Sequence, residues 1–192
     1  SNGLEDSDSE LSGPCMVNIN CEEGDEWQNQ GKGVCMMVMK IGKRAFLCSG
    51  SLVNNTARDK KPYVLSAFHC TEDLEYNVSA SKEDYNQWMF FFHLEHTGWD
   101  NTSPIQNYKT IQGCSRVVAI PVENGSDGLL LLLNENIPDY FDVYFNGWDR
   151  TNSISLSGVG IHHPGGDVKK ISTYGNHLPS SATWLNSDSN KE

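Results

Sequence analysis

An apolar run ends on a histidine at Tyr63-Val64-Leu65-Ser66-Ala67-Phe68-His69-Cys70. Tyr-Val-Leu reads as a buried strand, the small residues after it as its end, and Cys70 as a residue able to staple the backbone. Delivering an imidazole to the end of a rigid strand is how a general base is held within reach of its proton. A lone His-Cys pair reads first as a core histidine beside a structural cysteine. This pair has company, because Cys48-Ser49-Gly50-Ser51-Leu52-Val53 is a second short strand carrying a cysteine. A general base then needs an acid to orient it and a nucleophile to serve.

The acid is suggested by Asn124-Gly125-Ser126-Asp127-Gly128, which runs straight into Leu129-Leu130-Leu131-Leu132-Leu133. An aspartate at the mouth of an apolar strand is either a turn residue or a buried acid that orients an imidazole. Together the segments around Cys48 and His69 resemble the strand pair at the catalytic histidine of trypsin-like serine proteases, and the chain order His then Asp is that of the chymotrypsin class. In that setting the catalytic reading of Asp127 is the stronger one.

The likeness narrows further along the chain. Cys48 to Ala57, Tyr63 to Cys70, Ser126-Asp127 before the leucines, Gly147-Trp148-Asp149-Arg150, and Ile161-His162-His163-Pro164 with Lys170-Ile171-Ser172 after it resemble the lysyl endopeptidase family, in the family's own order. The resemblance covers about Cys15 to Ser172. It implies an all-β, chymotrypsin-like double β-barrel and cleavage of peptide bonds after lysine. His69 would be the general base and Asp127 its orienting acid. It also implies disulfides Cys48–Cys70 and Cys21–Cys114, with Cys15 bonded to a cysteine that this sequence lacks, so Cys15 becomes a candidate inter-chain link. The family gives Cys35 no partner, and a buried thiol acting as a small hydrophobe is expected there.

The nucleophile is the departure. In the family it lies in a Gly-x-Ser-Gly-type loop downstream of His-His-Pro, and the sequence reaches Lys191-Glu192 without one. Ser51 matches a structural serine, Ser157-Gly158 lacks the glycine-rich turn of an oxyanion hole, and Ser180-Ser181 follow a proline in a polar stretch. The expectation is therefore a serine supplied by a second polypeptide or a missing C-terminal segment, which would also complete the second barrel. The alternative is a non-catalytic trypsin-fold binding or scaffold protein that kept His69 and Asp127.

The elements that must position these residues are short strands at regular spacing: 34–41, 45–53, 63–67, 87–94, 116–122, 129–133, 154–162 and 168–172. Turns fall at Gly42-Lys43, Asn54-Asn55, Asn124-Gly125 and Pro164-Gly165-Gly166, and 72–85 has room for a short turn of helix. The expected division is an acidic tail over 1–14, a complete first barrel over 15–127 holding His69 and Asp127, and an incomplete second barrel over 128–192. Six cysteines without a Cys-x-x-Cys or zinc spacing point to disulfides in an oxidising, secreted or periplasmic setting. His93 and His96, three apart on a strand, face opposite ways and make a poor metal pair, so neither metal nor cofactor is expected. With 14 basic against 25 acidic residues, net −11, nucleic acid and anionic membranes are poor partners and a cationic substrate is mildly favoured; a protein or peptide substrate is what the resemblance implies. No apolar run approaches the roughly 18 residues that span a bilayer.

Overall fold

The computed structural model describes residues 16–122, 125–151 and 153–176. Its strands are β1 (Val17–Asn18), β2 (Val34–Ile41), β3 (Arg44–Val53), β4 (Tyr63–Ala67), β5 (Glu72–Asp73), β6 (Val78–Ser79), β7 (Met89–Phe92), β8 (Lys109–Gln112), β9 (Cys114–Ile120), β10 (Gly128–Leu133), β11 (Gly158–His162) and β12 (Lys170–Tyr174). Two short helices, α1 (Gln28–Lys32) and α2 (Lys82–Tyr85), accompany them.

The large sheet runs β8-β7-β2-β3-β4-β10-β9. Its two end strands are one chain segment, since only Gly113 separates β8 from β9. Gly113 takes φ +84°, and a Cβ there would come within 2.6 Å of Asn134 Nδ2. Its N–H donates to Trp88 O and its carbonyl accepts from Asn134 N, so the ladder continues around the corner. The sheet thus closes on itself through a bent strand, leaving no free edge there. The expected complete first barrel is present.

Side-chain alternation fills it. In β10, Leu129, Leu131 and Leu133 are buried while Leu130 and Leu132 are only half-buried on the other face. They meet Met37, Met39, Leu52, Val64, Phe90 and Phe92 in one core. Trp88 is fully buried there and its indole N–H donates to Lys40 O at 2.9 Å, so the large ring adds apolar area without stranding a donor. The β2–β3 hairpin turns through Gly42 at φ +59°, as the Gly-Lys pair predicts.

The second barrel is represented by three strands in the order β1-β12-β11. Two of the expected boundaries therefore move. β10 was expected to open the second barrel but pairs with β4 on one side and β9 on the other, so the first barrel extends through Leu133. β1, expected within the first barrel, instead pairs with β12. The acidic tail over 1–14 lies outside the described residues, as does Cys15.

Two lysines seal the joint between the sheets. Lys169 and Lys170 are buried. Lys169 Nζ binds Glu95 Oε2 at 2.8 Å, and Lys170 Nζ donates to Asn18 Oδ1 at 2.7 Å and Asn101 Oδ1 at 2.9 Å. Buried ammonium groups persist only when paired in this way. Among the described residues no helix is long and apolar enough to cross a membrane.

Candidate active site

The site begins with register. β4 and β10 are antiparallel with Gly128 opposite Ala67, so the residue just before β10 faces those just after β4. β4 runs into a single 3-10 turn, Phe68–Thr71, which carries His69. Asp127 adopts φ 54°, a left-handed conformation that aspartate tolerates better than most residues.

Asp127 then holds the turn at three points. Its carbonyl accepts from Phe68 N at 2.9 Å. Oδ1 accepts from the His69 backbone N–H at 2.8 Å, and Oδ2 accepts from His69 Nδ1 at 2.6 Å. Because a carboxylate only accepts, Nδ1 carries a hydrogen and the tautomer is set. The Asp127 side chain is 18% exposed and that of His69 40% exposed, so the acid is screened while the imidazole reaches solvent.

The neighbouring disulfide fixes the turn from the other side. Cys48 on β3 is bonded to Cys70, one residue after His69, and Cys70 Sγ lies 3.8 Å from His69 Nε2. Cys48, His69 and Cys70 cluster closely enough to suggest a metal, but two sulfurs spent on a disulfide are not thiolate ligands. Ser66 adds another tie, its hydroxyl donating to Ser49 O on β3 at 2.9 Å. Beside His69 a cavity of about 330 Å³ opens, lined by Phe46, Leu47 and Leu74 and rimmed by Arg44, Asp73 and Glu75. Arg44 binds Glu75 at 2.6 Å and Asp73 at 3.2 Å.

Residues 9–192 match the family described as lysyl endopeptidase, C-terminal domain. The chain belongs to this family. It is 29% identical over 167 residues to a lysyl endopeptidase of Pseudomonas aeruginosa, a match covering 84% of this chain and 34% of that protein. The chain thus spans about a third of the length of that relative. A solved structure titled "Structure of GrC" aligns with 76% of this chain and 60% of its own, at 15% identity and TM-score 0.47. One closed barrel with part of a second sheet is an all-β arrangement, as the lysyl endopeptidase resemblance implied.

The remaining cysteines divide. Cys48–Cys70 is formed as the family pattern implied, but Cys21–Cys114 is not, and both are thiols. Cys114 opens β9 inside the barrel core, its Sγ donating to Tyr85 O at 3.7 Å. Cys21 precedes the Glu22–Trp27 turn and its Sγ donates to Trp99 O at 3.3 Å. The two side chains thus serve different parts of the fold. Cys35 is the buried thiol expected, and burial pushes both it and Cys114 up to about 12, which leaves them unreactive near neutrality.

The other candidates lie apart. His93 Nε2 donates to Phe141 O at 2.7 Å and His96 Nδ1 to Ser103 O at 2.5 Å, so each is taken up by a separate carbonyl. Ser51 Oγ accepts from Asn146 Nδ2 at 2.9 Å, a structural role. Ser157 lies just before β11, and its carbonyl accepts from Ser155 Oγ. Ser180 and Ser181 fall outside the described residues. Sequence reasoning missed the Ser66–Ser49 tie and the Arg44 cluster. Three acids within Glu72–Glu75 beside the histidine turn were the one visible sign of the latter.

Proposed function

We propose that this chain is the His-Asp part of a serine endopeptidase that cleaves after lysine in an extracellular or periplasmic setting. The grip of Asp127 on both the backbone N–H and Nδ1 of His69 carries the reading, for it fixes ring orientation and tautomer together. The nucleophilic serine is contributed by sequence outside these 192 residues. His69 Nε2 takes the proton of that hydroxyl as its oxygen bonds to the scissile carbonyl carbon, and Asp127 stabilises the imidazolium. The same proton then passes to the leaving amine as the C–N bond breaks, giving an acyl-enzyme. Water repeats the cycle in reverse roles and frees the carboxylate. Lysine preference is supported by the family and by a net charge of −11, which favours cationic substrates. The Cys48–Cys70 bridge supports an oxidising compartment.

The test uses the full-length protein. Covalent labelling by a serine-directed phosphonyl fluoride, and loss of lysyl-ester hydrolysis in a folded His69→Ala variant, are the expected results. Unchanged turnover in that variant overturns the assignment of His69. Failure of the wild-type protein to label at all leaves the non-catalytic trypsin-fold protein in its place.

A further inference from the structure

Between β3 and β4 the chain leaves the sheet for residues 54–62. The two ends of this loop are tied down: Asn54 N–H donates to Asn146 O at 2.9 Å, and Pro62 O accepts from Leu133 N at 3.1 Å. The span between them is exposed from Thr56 to Lys61. The bonds that shape it run within the loop, with Arg58 N donating to Asn55 O, Asn55 Nδ2 to Asp59 Oδ1 and Lys61 N to the same oxygen. Lys60 reaches Asp139 across 3.6 Å with both side chains largely in solvent, a pair worth little. Arg58 and Lys60 take φ 51° and 55°, the left-handed region that residues with side chains enter at a cost. Drawing the loop out into an extended strand therefore sacrifices little and relieves two such residues.

Lysine chemistry singles out one bond in the loop. Lys60–Lys61 is an ordinary secondary amide. Lys61–Pro62 instead has proline's ring nitrogen as its leaving group, without an N–H and crowded by its ring. The other described lysines stand in regular structure or are buried. Lys32 closes α1, Lys82 opens α2, and Lys40 and Lys109 belong to β2 and β8. Lys43 sits in the tight β2–β3 turn with Ile41 and Arg44 paired across it, and Lys169 and Lys170 are buried. The loop lies at the start of β4, whereas His69 lies just past its end. Because β4 is paired with β3 on one side and β10 on the other, the loop cannot swing to its own chain's histidine without unzipping the barrel.

We propose that the Lys60–Lys61 bond is a self-processing site, cut by a second copy of the same enzyme. The serine oxygen of the attacking copy bonds to the Lys60 carbonyl carbon, and the C–N bond breaks as the Lys61 nitrogen takes the proton held by the imidazole. Water then frees the Lys60 carboxylate, so the net change is the addition of one water. The cut falls between Cys48 and Cys70, whose disulfide keeps the two pieces joined. β3 stays paired with β2 and β4 with β10, so the His69–Asp127 pair survives in a two-chain form. The inference rests on the proposed lysine-specific protease reading and adds a substrate to it, the enzyme's own β3–β4 loop.

The test incubates the purified full-length protein at a series of concentrations and follows its intact mass with and without reductant. The unreduced mass should gain one water. Reduction should then release a fragment that begins Lys61-Pro62-Tyr63, its initial rate of formation rising with the square of the protein concentration. Lys60→Gln, an exposed change, should hydrolyse a lysyl ester as the wild type does and yield no such fragment. First cleavage at another lysine, or the same fragment from Lys60→Gln, overturns the proposal. A rate merely proportional to concentration overturns it too, because the cut would then be made within one molecule. Wild-type protein that hydrolyses the ester yet stays intact counts against this inference alone. If it leaves the ester untouched, the protease reading falls and takes the inference with it.

Discussion

Gly128 stands opposite Ala67 in the β4–β10 ladder, and that pairing decides where Asp127 can reach. A slip of one residue would turn the carboxylate to the other face of the sheet. The register is held by Leu129, Leu131 and Leu133, which enter the core only in this alignment. The core of the first barrel thus places the acid.

Asp127→Asn is the substitution that separates fold from chemistry. Asparagine tolerates φ 54°, and its amide oxygen can still accept from the His69 backbone. Its NH₂ facing Nδ1 would force the wrong imidazole tautomer. Activity of the full-length protein on a lysyl ester should fall about 10⁴-fold in kcat with little change in thermal midpoint. A loss below tenfold would count against the orienting role.

The Cys48–Cys70 bridge spans 22 residues of chain. On the chain-entropy account, closing a loop of that size stabilises the fold by about 3 kcal/mol. The double change Cys48→Ala/Cys70→Ala should lower urea stability by about that amount. It should also loosen the Phe68–Thr71 turn, so kcat should fall further than stability alone explains.

How much of this was legible in the sequence varies with how much each segment buries. β2 and β4 match their expected bounds, because Val-Cys-Met-Met-Val-Met and Tyr-Val-Leu leave no polar alternative. β8 was missed: Lys109-Thr110-Ile111-Gln112 offers one buried residue, Ile111, and pairs only because β7 supplies an edge. α1, Gln-Asn-Gln-Gly-Lys, carries no apolar period. His69 was legible from its strand, whereas Asp127 by residue type was an ordinary turn aspartate, and family order carried it. The Cys21–Cys114 pairing came from the family pattern alone, and the packing of Cys114 in the core overrode it. His163 was legible as part of the His-His-Pro motif, with a structural or site-peripheral role expected, whereas its near-complete burial is a property of packing.

Gly113 turns one strand into the two ends of the barrel. Gly113→Val would need φ +84° and would drive its side chain into Asn134 Nδ2 and Asn86 O. A β-branched residue in that conformation costs about 1–3 kcal/mol before the clash is counted. Urea midpoints should fall accordingly, and amide exchange should rise first at Gly113 and Asn134, whose bonds carry the ladder round the corner. Uniform exchange across the sheet would argue against a local hinge.

Lys169 and Glu95 make a buried pair across the joint between the sheets. Removing one partner strands the other, which costs about 3–5 kcal/mol, whereas removing both is far cheaper. Lys169→Met should therefore be strongly destabilising, and Lys169→Met/Glu95→Gln should recover most of the loss. A double variant no better than the single one would mean that the lysine acts through packing.

Acid should lower the stability of the protein over two separable pH ranges. Burial lowers His163 from 6.5 to about 3, so between those values the unfolded chain binds its proton and the folded chain does not. Stability from this group is full above about 6.5 and is lost as pH falls toward 3. Asp84 titrates lower. Burial alone would raise its carboxyl, but the Lys40 ammonium, the Ser81 amide and hydroxyl and the Gly42 amide outweigh it and hold it well below the usual carboxylate range. Its contribution is full above the ordinary aspartate value near 4 and disappears as pH falls below it. Unfolding free energy followed against pH should lose its upper slope, between about 6 and 4.5, in His163→Gln, and its lower slope in Asp84→Asn. An unchanged upper slope in His163→Gln would mean that the acid sensitivity there comes from another group.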